Sequence, residues 1–511
     1  MKKGKKISLV AGLLVAGVVL AACGGDSKAA SDKGGSESSG DNKTEEKSDK
    51  TSVSWMTMLH TPTPPSGDVE KQLEDYTGMD IEFNWIPAAS TDERINAALA
   101  SQTLADIVSL TQISSTTVRS ALASGMFWDV EPYLKDYPNL KNISADRLES
   151  SRIDGKVYGV PFQKPIARYG VLVRQDWLDN LSLDVPHTYD DLKKVAQAFS
   201  EDDPDGNGTD DTVGFVDRQE SYSVGFKAIA VNFGAGNLFA VEDGKVIPSF
   251  MQDEYKEAME WYREIYENGW MNSDFTVMAK ADQKDYIVQG KGGIVLSGLF
   301  DGRNYKSAAK GTAQEDQEWV LINDITAGDV ERRTVSDTNG GMGGWLAIPK
   351  QNIESEADLK VVLQFINDLM DEEPFNLMTN GIEGKHYEIT ADGAYERTDD
   401  TAWQQEVQPF AGSRPSELVE TYKTTDELQN ESNELIADNE AYAVINPAQP
   451  LSSETYDTQW STLVEGIEDA YYKYMMGEID MDGFDAAVEN WQKAGGDQII
   501  KEFTESYEKN K

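Results

Sequence analysis

Residues 53–110 read VSWMTMLHTPTPPSGDVEKQLEDYTGMDIEFNWIPAASTDERINAALASQTLADIVSL. Three short β-prone runs stand out: Val53–Leu59, Asp80–Ile86 and Ala105–Leu110. Amphipathic stretches separate them, and their periodicity predicts helices over Asp68–Tyr76 and Thr91–Ser101. In the second of these Ile95, Ala98 and Leu99 share a face. Asp92 and Glu93 stand in its first turn, where they complement the helix dipole. A β-α-β-α-β order predicts right-handed crossovers and a parallel sheet. Ligands of such sheets bind beyond the carboxyl ends of the strands. Here those ends are His60–Pro65, Pro87–Ser90 and Thr111–Ser114.

Upstream of this unit, residues 24–51 hold Gly, Ser, Lys, Asp and Glu with almost nothing apolar but Ala. Such a segment has too little to bury and is expected to be a disordered tether. Residues 1–23 begin with Lys2, Lys3, Lys5 and Lys6, continue with an apolar run from Ile7 to Leu20, and end in small residues and Cys23. The run is short for a spanning helix, which needs ~20 residues. The pattern is that of a secretory signal. Leu20-Ala21-Ala22-Cys23 resembles a bacterial lipobox, which implies a signal peptide over 1–22 and a diacylglyceryl (palmitate-type) anchor on Cys23. Two acyl chains suffice for stable anchoring at the outer face of the cell membrane.

The 511 residues suit two or three domains. Lys plus Arg is 46 and Asp plus Glu is 90, a formal charge of −44. That field opposes nucleic acid and anionic membrane surfaces, both of which demand basic patches. With one cysteine, no disulfide forms within the chain. Cys23, His60, His187 and His386 are too few and too scattered for a structural zinc site. No G-x-S-x-G nucleophile elbow occurs.

Downstream of the opening unit the alternation continues, and the fold class is α/β. Asp154-Gly155 marks a turn between Ile153 and Pro161, and Arg168–Val173 is a predicted strand. Over His187–Ser200 a helix is expected. Thr188 and Asp191 have capping-box spacing there, and Leu192, Val195, Ala196 and Phe199 fall on one face. Next comes EDDPDGNGTDDTVGF, residues 201–215. With position 1 at Asp203, side-chain oxygens fall at Asp203, Asp205 and Asn207, and Gly208 takes the turn. The Thr209 carbonyl and Asp211 follow at positions 7 and 9. Position 12 is Gly214 rather than a bidentate Glu, and Thr212–Val216 looks like a strand. The spacing predicts a structural calcium clip rather than an EF-hand switch, against the alternative of a solvated Pro/Gly/Asn turn.

Several pieces carry a family resemblance: Arg174–Leu181 (RQDWLDNL), Val185–Thr188, the DPDGNG of Asp203–Gly208, Tyr255–Asn268, Gly381–Tyr387 (GIEGKHY) and Ala494–Asp497. From Val53 to the end the chain resembles the family 1 extracellular solute-binding lipoproteins of ABC sugar importers. It is closest to the large branch that includes alginate-oligosaccharide-binding proteins. The resemblance implies a two-lobe periplasmic-binding-protein-like fold (type II) with a hinged cleft and C-terminal helices. It also implies a structural calcium, with Thr212 where the alginate binders carry an acid. The implied N-terminal lobe is 52–166 plus about 345–390, and the C-terminal lobe is 167–344 plus about 391–511. Crossings are expected near Phe162–Arg168 and Gly340–Trp345, with glycines permitting motion at the second.

Sugars present apolar faces and hydroxyl rims, so aromatic plates and polar side chains in loops are the candidate contacts. Trp177 and Trp261, in amphipathic helices, are expected to be structural. The candidates are His60, Thr61, Gln112, Arg168, Tyr169, Phe300, Asp301, Arg303, Trp345, Glu383, His386 and Tyr387. Phe300 resembles the position where maltose-binding proteins stack a Trp on the sugar. The expected ligand is an oligosaccharide, neutral or mixed given the net charge, with Arg168, Arg303 and Lys385 able to seat one carboxylate. The protein is expected to be a monomeric receptor serving ABC permease subunits, with no catalytic residue. The alternatives are an extracellular glycosidase with paired carboxylates, or a peptide or lipid receptor on the same fold.

Overall fold

The computed structural model describes residues 48–113, 115–209 and 211–510. The signal segment, Cys23 and most of the tether lie outside the described residues. The opening unit forms as its periodicity predicts. Strands Ser52–Leu59 and Asp80–Pro87 pair in parallel from Ser52↔Asp80 to Leu59↔Pro87, and Trp55 pairs with Ile107 of the parallel strand Ile107–Leu110. Alternate residues Val53, Trp55, Thr57 and Leu59 point inward. The third strand starts at Ile107 because Asp106 and Ser54 bond through side chains instead of backbone: the Asp106 carboxylate accepts from the Ser54 N–H (3.0 Å) and Lys50 Nζ (2.9 Å), and the Asp106 N–H donates to Ser54 Oγ (3.0 Å).

The five-stranded sheet is completed by Met342–Ala347, which returns antiparallel between Ile107–Leu110 and Val160–Gln163. Its register shifts between Met342 and Trp345. Gly344 makes this possible: its φ is +138°, and a Cβ there would stand 2.3 Å from the Leu110 carbonyl oxygen. Helix Glu356–Asp368 packs Leu359, Val362, Leu363 and Ile366 into the same core as Trp55. Helices Asp400–Glu406 and Gln408–Ala411 belong with this core too. Val407 and Phe410 are wholly buried in it, and Phe410 meets Phe83 edge-on. These residues lie beyond about residue 390, the end of the first lobe that the resemblance implies, and pack with its core.

A second sheet orders Trp319–Ile322, Tyr169–Arg174, Gly292–Gly298 and Val213–Phe215. Helix Tyr189–Glu201 lies against it, with the Thr188 hydroxyl accepting from the Asp191 N–H at 3.1 Å as its cap. Trp177 and Trp261 are core residues. The three C-terminal helices, Glu454–Met475, Met481–Trp491 and Asp497–Asn510, add Ile467, Tyr471, Trp491 and Phe503 to this second core. A buried carboxyl sits among them. Asp217 accepts from Ser221 and from the Tyr262 hydroxyl at 2.7 Å, and Ser221 also meets the Tyr471 hydroxyl at 2.8 Å. Burial pushes the Asp217 pKa upward, and those hydroxyls oppose it.

Three segments cross between the two lobes. The first joins Gln163 to Tyr169, the second joins Val335 to Met342, and the third joins Ala411 to Glu427. They are stitched side by side. The Lys164 N–H donates to the Gly341 carbonyl (2.9 Å), and the Arg168 N–H to Asp337 (2.8 Å). The Ser336 hydroxyl donates to the Ile166 carbonyl (2.7 Å). The Gln163 N–H donates to the Pro415 carbonyl (2.9 Å), and the Glu417 N–H returns a bond to Gln163 (2.8 Å). The glycines of the second crossing serve close packing: a Cβ on Gly341 would lie 2.7 Å from the Lys164 carbonyl oxygen.

Candidate functional site

A cleft of about 440 Å³ opens beside the first and third crossings, with walls from both lobes. Arg168, Phe300 and Arg303 come from the second lobe, and Phe375, Tyr387 and Tyr395 from the first. The third crossing supplies Arg414 and Tyr422. Tyr387 stacks on Tyr395 at 5.0 Å, and Tyr422 packs tilted against Tyr395 at 4.7 Å, so one wall is a cluster of aromatic rings. Opposite them the Arg168 guanidinium lies 5.7 Å over the Phe300 ring. Asp337 fixes it there, accepting from Arg168 Nε at 2.8 Å. Arg303 meets Asp426 at 3.2 Å. Such a surface suits ligands that carry apolar faces and a polar rim.

Of the twelve candidates, Arg168, Phe300, Arg303 and Tyr387 meet in this cleft. Tyr169 turns into the second core, and burial raises the pKa of its hydroxyl. Asp301 is buried in the first turn of helix Asp301–Ala309, accepting from Ser297 Oγ (2.5 Å) and Asn304 Nδ2 (3.0 Å). Trp345 is 2% exposed in the return strand, with its indole N–H on the Ser151 carbonyl at 2.8 Å. It borders a separate cavity of about 60 Å³. Its strand packs it inward because Gly344 shifts the register just before it. His386 is fully buried, its Nδ1 accepting from the Ile382 N–H at 2.9 Å, whereas Glu383 is exposed. His60 is exposed near Gly412, and Thr61 donates to the Thr63 carbonyl at 2.8 Å. Gln112 keeps a buried Oε1 with no partner among the described residues. Lys385 is held between Asp68 (2.7 Å) and Glu406 (2.5 Å), which leaves it poorly placed to seat a ligand carboxylate.

The family model described as a bacterial extracellular solute-binding protein matches residues 70–405. The chain belongs to that family. Among its relatives, a polygalacturonan/rhamnogalacturonan-binding protein of Bacillus subtilis is 36% identical over 509 residues, 99% of each chain. The lipoprotein LipO of the same organism is 34% identical over 474 residues, 90% of this chain and 93% of its own. An extracellular solute-binding protein of Bifidobacterium longum subsp. infantis has the same fold, with a TM-score of 0.69 at 19% identity over 90% of this chain and 98% of that one. The alginate-binding protein AlgQ2, described without calcium ion, gives 0.65 at 16% identity over 90% and 99%. An EF-hand mutant of FusA, an ABC-transporter substrate-binding protein of S. pneumoniae, gives 0.63 at 18% over 90% and 99%.

In this solute-binding protein the acidic loop is a compact turn. Asp203, at φ +52°, accepts from the Asn207 N–H (3.1 Å) and the Gly208 N–H (3.0 Å). Asn207 Nδ2 donates to both Asp205 (2.8 Å) and Asp211 (3.2 Å), so those two carboxylates face one point with the amide between them. Burial raises the Asp205 pKa, and hydrogen bonding with Asp203 and the Asp211 charge add to the rise. The donor set is all oxygen and suits a hard cation. Among the described residues, though, no three His, Cys, Asp or Glu side chains are close enough together to hold a metal ion. Thr212 plays no part, because its buried hydroxyl donates to the Phe199 carbonyl at 2.8 Å. The loop is anchored from outside by Asn180, which donates to the Pro204 carbonyl at 3.0 Å.

Reasoning from strand ends missed Phe375, Tyr395, Arg397, Arg414 and Tyr422. None of them follows a strand of the parallel unit. The sequence carries little signal for them: between Phe375 and Tyr422 aromatic residues are only slightly denser than in the whole chain, Lys and Arg are sparser, and the hydrophobic runs are short.

Proposed function

We propose that this protein captures an oligosaccharide outside the cell and delivers it to the permease of an ABC importer, without chemistry on the sugar. The observation that carries this reading is the cleft bounded by both lobes, with clustered tyrosines on one wall and Phe300 with Arg168 on the other. Separated rings suit successive sugar units. The nearly full-length relative described as polygalacturonan/rhamnogalacturonan-binding favours an acidic, pectin-type fragment over the neutral or mixed ligand that net charge alone suggests. Contact is assigned to Arg168, Phe300, Arg303 and Tyr387. His60, Thr61 and Gln112 lie in loops on the first lobe, Glu383 is exposed, and Tyr169, Asp301, Trp345 and His386 serve as supports.

The protein is proposed to act as a monomer, with the first lobe as 52–163, 342–410 and the second as 169–335, 427–511. Signal peptide 1–22 is removed, Cys23 carries the lipid at the cell membrane, and the tether up to residue 51 spaces the receptor from it. A relative described as a lipoprotein supports the anchor. Asp203, Asp205, Asn207, the Thr209 carbonyl and Asp211 are proposed to hold a structural calcium, supported by the odd-position spacing and by the convergence of carboxylates on Asn207. Calorimetry against a panel of oligogalacturonides, neutral oligosaccharides, monosaccharides and peptides tests the reading. Tight binding of a monosaccharide or peptide with no oligosaccharide bound overturns it, as does cleavage of a bound sugar.

A further inference from the structure

This inference deepens the receptor reading above and rests on it. Four guanidinium groups line the cleft: Arg168, Arg303, Arg397 and Arg414. Three are spoken for. Arg168 pairs with Asp337 at 2.7 Å, Arg303 with Asp426 at 3.2 Å, and Arg397 with Asp400 at 3.1 Å. Arg414 differs. Its Nη1 donates to Thr379 Oγ1 at 2.6 Å, and its guanidinium lies 5.1 Å from the Phe375 ring centre. Its Nε is buried with no partner among the described residues, and no carboxylate there comes within ion-pair distance. The free side is therefore the Nε–Nη2 edge, one of the two edges on which a guanidinium binds a carboxylate through two parallel bonds.

A second orphan stands on the same crossing. The Tyr422 hydroxyl is buried, lines the cleft and has no partner among the described residues. Buried donors without acceptors cost free energy, and a native fold keeps them where a ligand or water completes them. Burial pulls the Arg414 pKa below the usual guanidinium value, with nearby Glu417 opposing, so the charge is under-compensated as the protein stands. Glu417 is directed toward Lys164 at 4.0 Å, and Glu420 offsets part of the local positive charge. What the site lacks is an acceptor with two oxygens.

We propose that the Nε–Nη2 edge of Arg414, with the Tyr422 hydroxyl, is the seat of one sugar-ring carboxylate, and that this contact makes the receptor select uronate-containing oligosaccharides over neutral ones. Phe375 holds the guanidinium plane from below, and Thr379 fixes its rotation. Arg168 and Arg303, neutralised by their own partners, shape the cleft without setting charge preference.

The test uses the full chain purified in detergent and titrated calorimetrically with trigalacturonate, its methyl ester and neutral galactotriose. The variants are Arg414→Gln, Arg414→Lys and Tyr422→Phe, each checked for an unchanged thermal melt. Wild type should prefer the acid, and methyl esterification or Arg414→Gln should weaken binding about 10- to 100-fold. Arg414→Lys should restore only part of it, because an ammonium lacks the paired edge. Tyr422→Phe should cost less than Arg414→Gln. Equal binding of acid and ester, or an Arg414→Gln variant that binds trigalacturonate like wild type, overturns the carboxylate seat and leaves the receptor reading standing. Failure to bind any of the three sugars overturns both for this class of ligand.

Discussion

His386 shows how a residue chosen for its chemistry can be claimed by the fold. Its Nδ1 accepts the Ile382 N–H, so the neutral ring carries its proton on Nε2, which faces Glu406 Oε2 at 3.6 Å, beyond hydrogen-bond range. Protonating Nδ1 would break the backbone bond. Burial, helped by the charge of Lys385, lowers the His386 pKa below its ordinary value, with Glu406 opposing. The unfolded chain binds this proton at a higher pH than the folded one, so stability from this group is fully present above the unfolded pKa and is lost as pH falls from there through the lower folded pKa. Urea melts of wild type should therefore weaken from pH 7 to pH 5.5 by more than those of His386→Asn, which starts lower but should be flatter. Equal slopes would show that the ring does not titrate with folding. Trp345 makes the same point, as an aromatic beside a glycine-rich crossing that the register shift at Gly344 turns into the core.

At the scale of elements, what periodicity encodes was legible. The opening β-α-β-α-β unit, the helix Tyr189–Glu201 with its Thr188 cap, and the Asp154-Gly155 turn follow from local signals. What was not legible depends on residues far apart in sequence. Val407 and Phe410 join a core built around Trp55 and Phe83, and nothing within residues 400–411 announces it. Of the cleft residues, Arg168 was legible at the first crossing, and Phe300, Arg303 and Tyr387 through the family resemblance, whereas Arg414 and Tyr422 lie on a third crossing that only the assembled lobes define. The acidic loop sits between these cases, since its spacing is local but its closure is not. Burial raises the Asp205 pKa, and the nearby Asp211 charge adds to the rise. A bound cation would relieve the repulsion between these two carboxylates and stabilise the native state by mass action. Chelation with EDTA should lower the melting temperature by about 1–2 °C, the shift expected for ~1–2 kcal/mol in a chain of this size. Sugar affinity should change little, because the loop follows a helix rather than a strand end. An unchanged melt, with Asp203→Ala also silent, would remove the calcium.

For the whole molecule, charge and address are the relevant quantities. Cys23→Ala should leave the chain uncleaved or shed into the medium, and normal processing and retention of that variant would end the anchor assignment. The net charge of −44 sets a sharper question for an acidic ligand. Thermodynamic selection is local: Arg414 offers one unpaired edge inside the cleft. Diffusional approach instead responds to the summed field, and that field repels a polyanion. Salt screens the two unequally. At about 0.15 M the Debye length is ~8 Å, so distant surface carboxylates fade from the potential while a partly buried contact is much less affected. The association rate of trigalacturonate should therefore rise several-fold between about 10 mM and 200 mM salt, opposite to the fall seen for electrostatically steered pairs. Dissociation should change less. Stopped-flow tryptophan fluorescence can follow this, because Trp403 lies 3.9 Å under the Arg397 guanidinium at the cleft. A rate that falls with salt would mean that the local positive charge of the cleft governs approach despite the net field. The two signs thus separate a repelling body with an attracting pocket from a receptor whose pocket outweighs its own field.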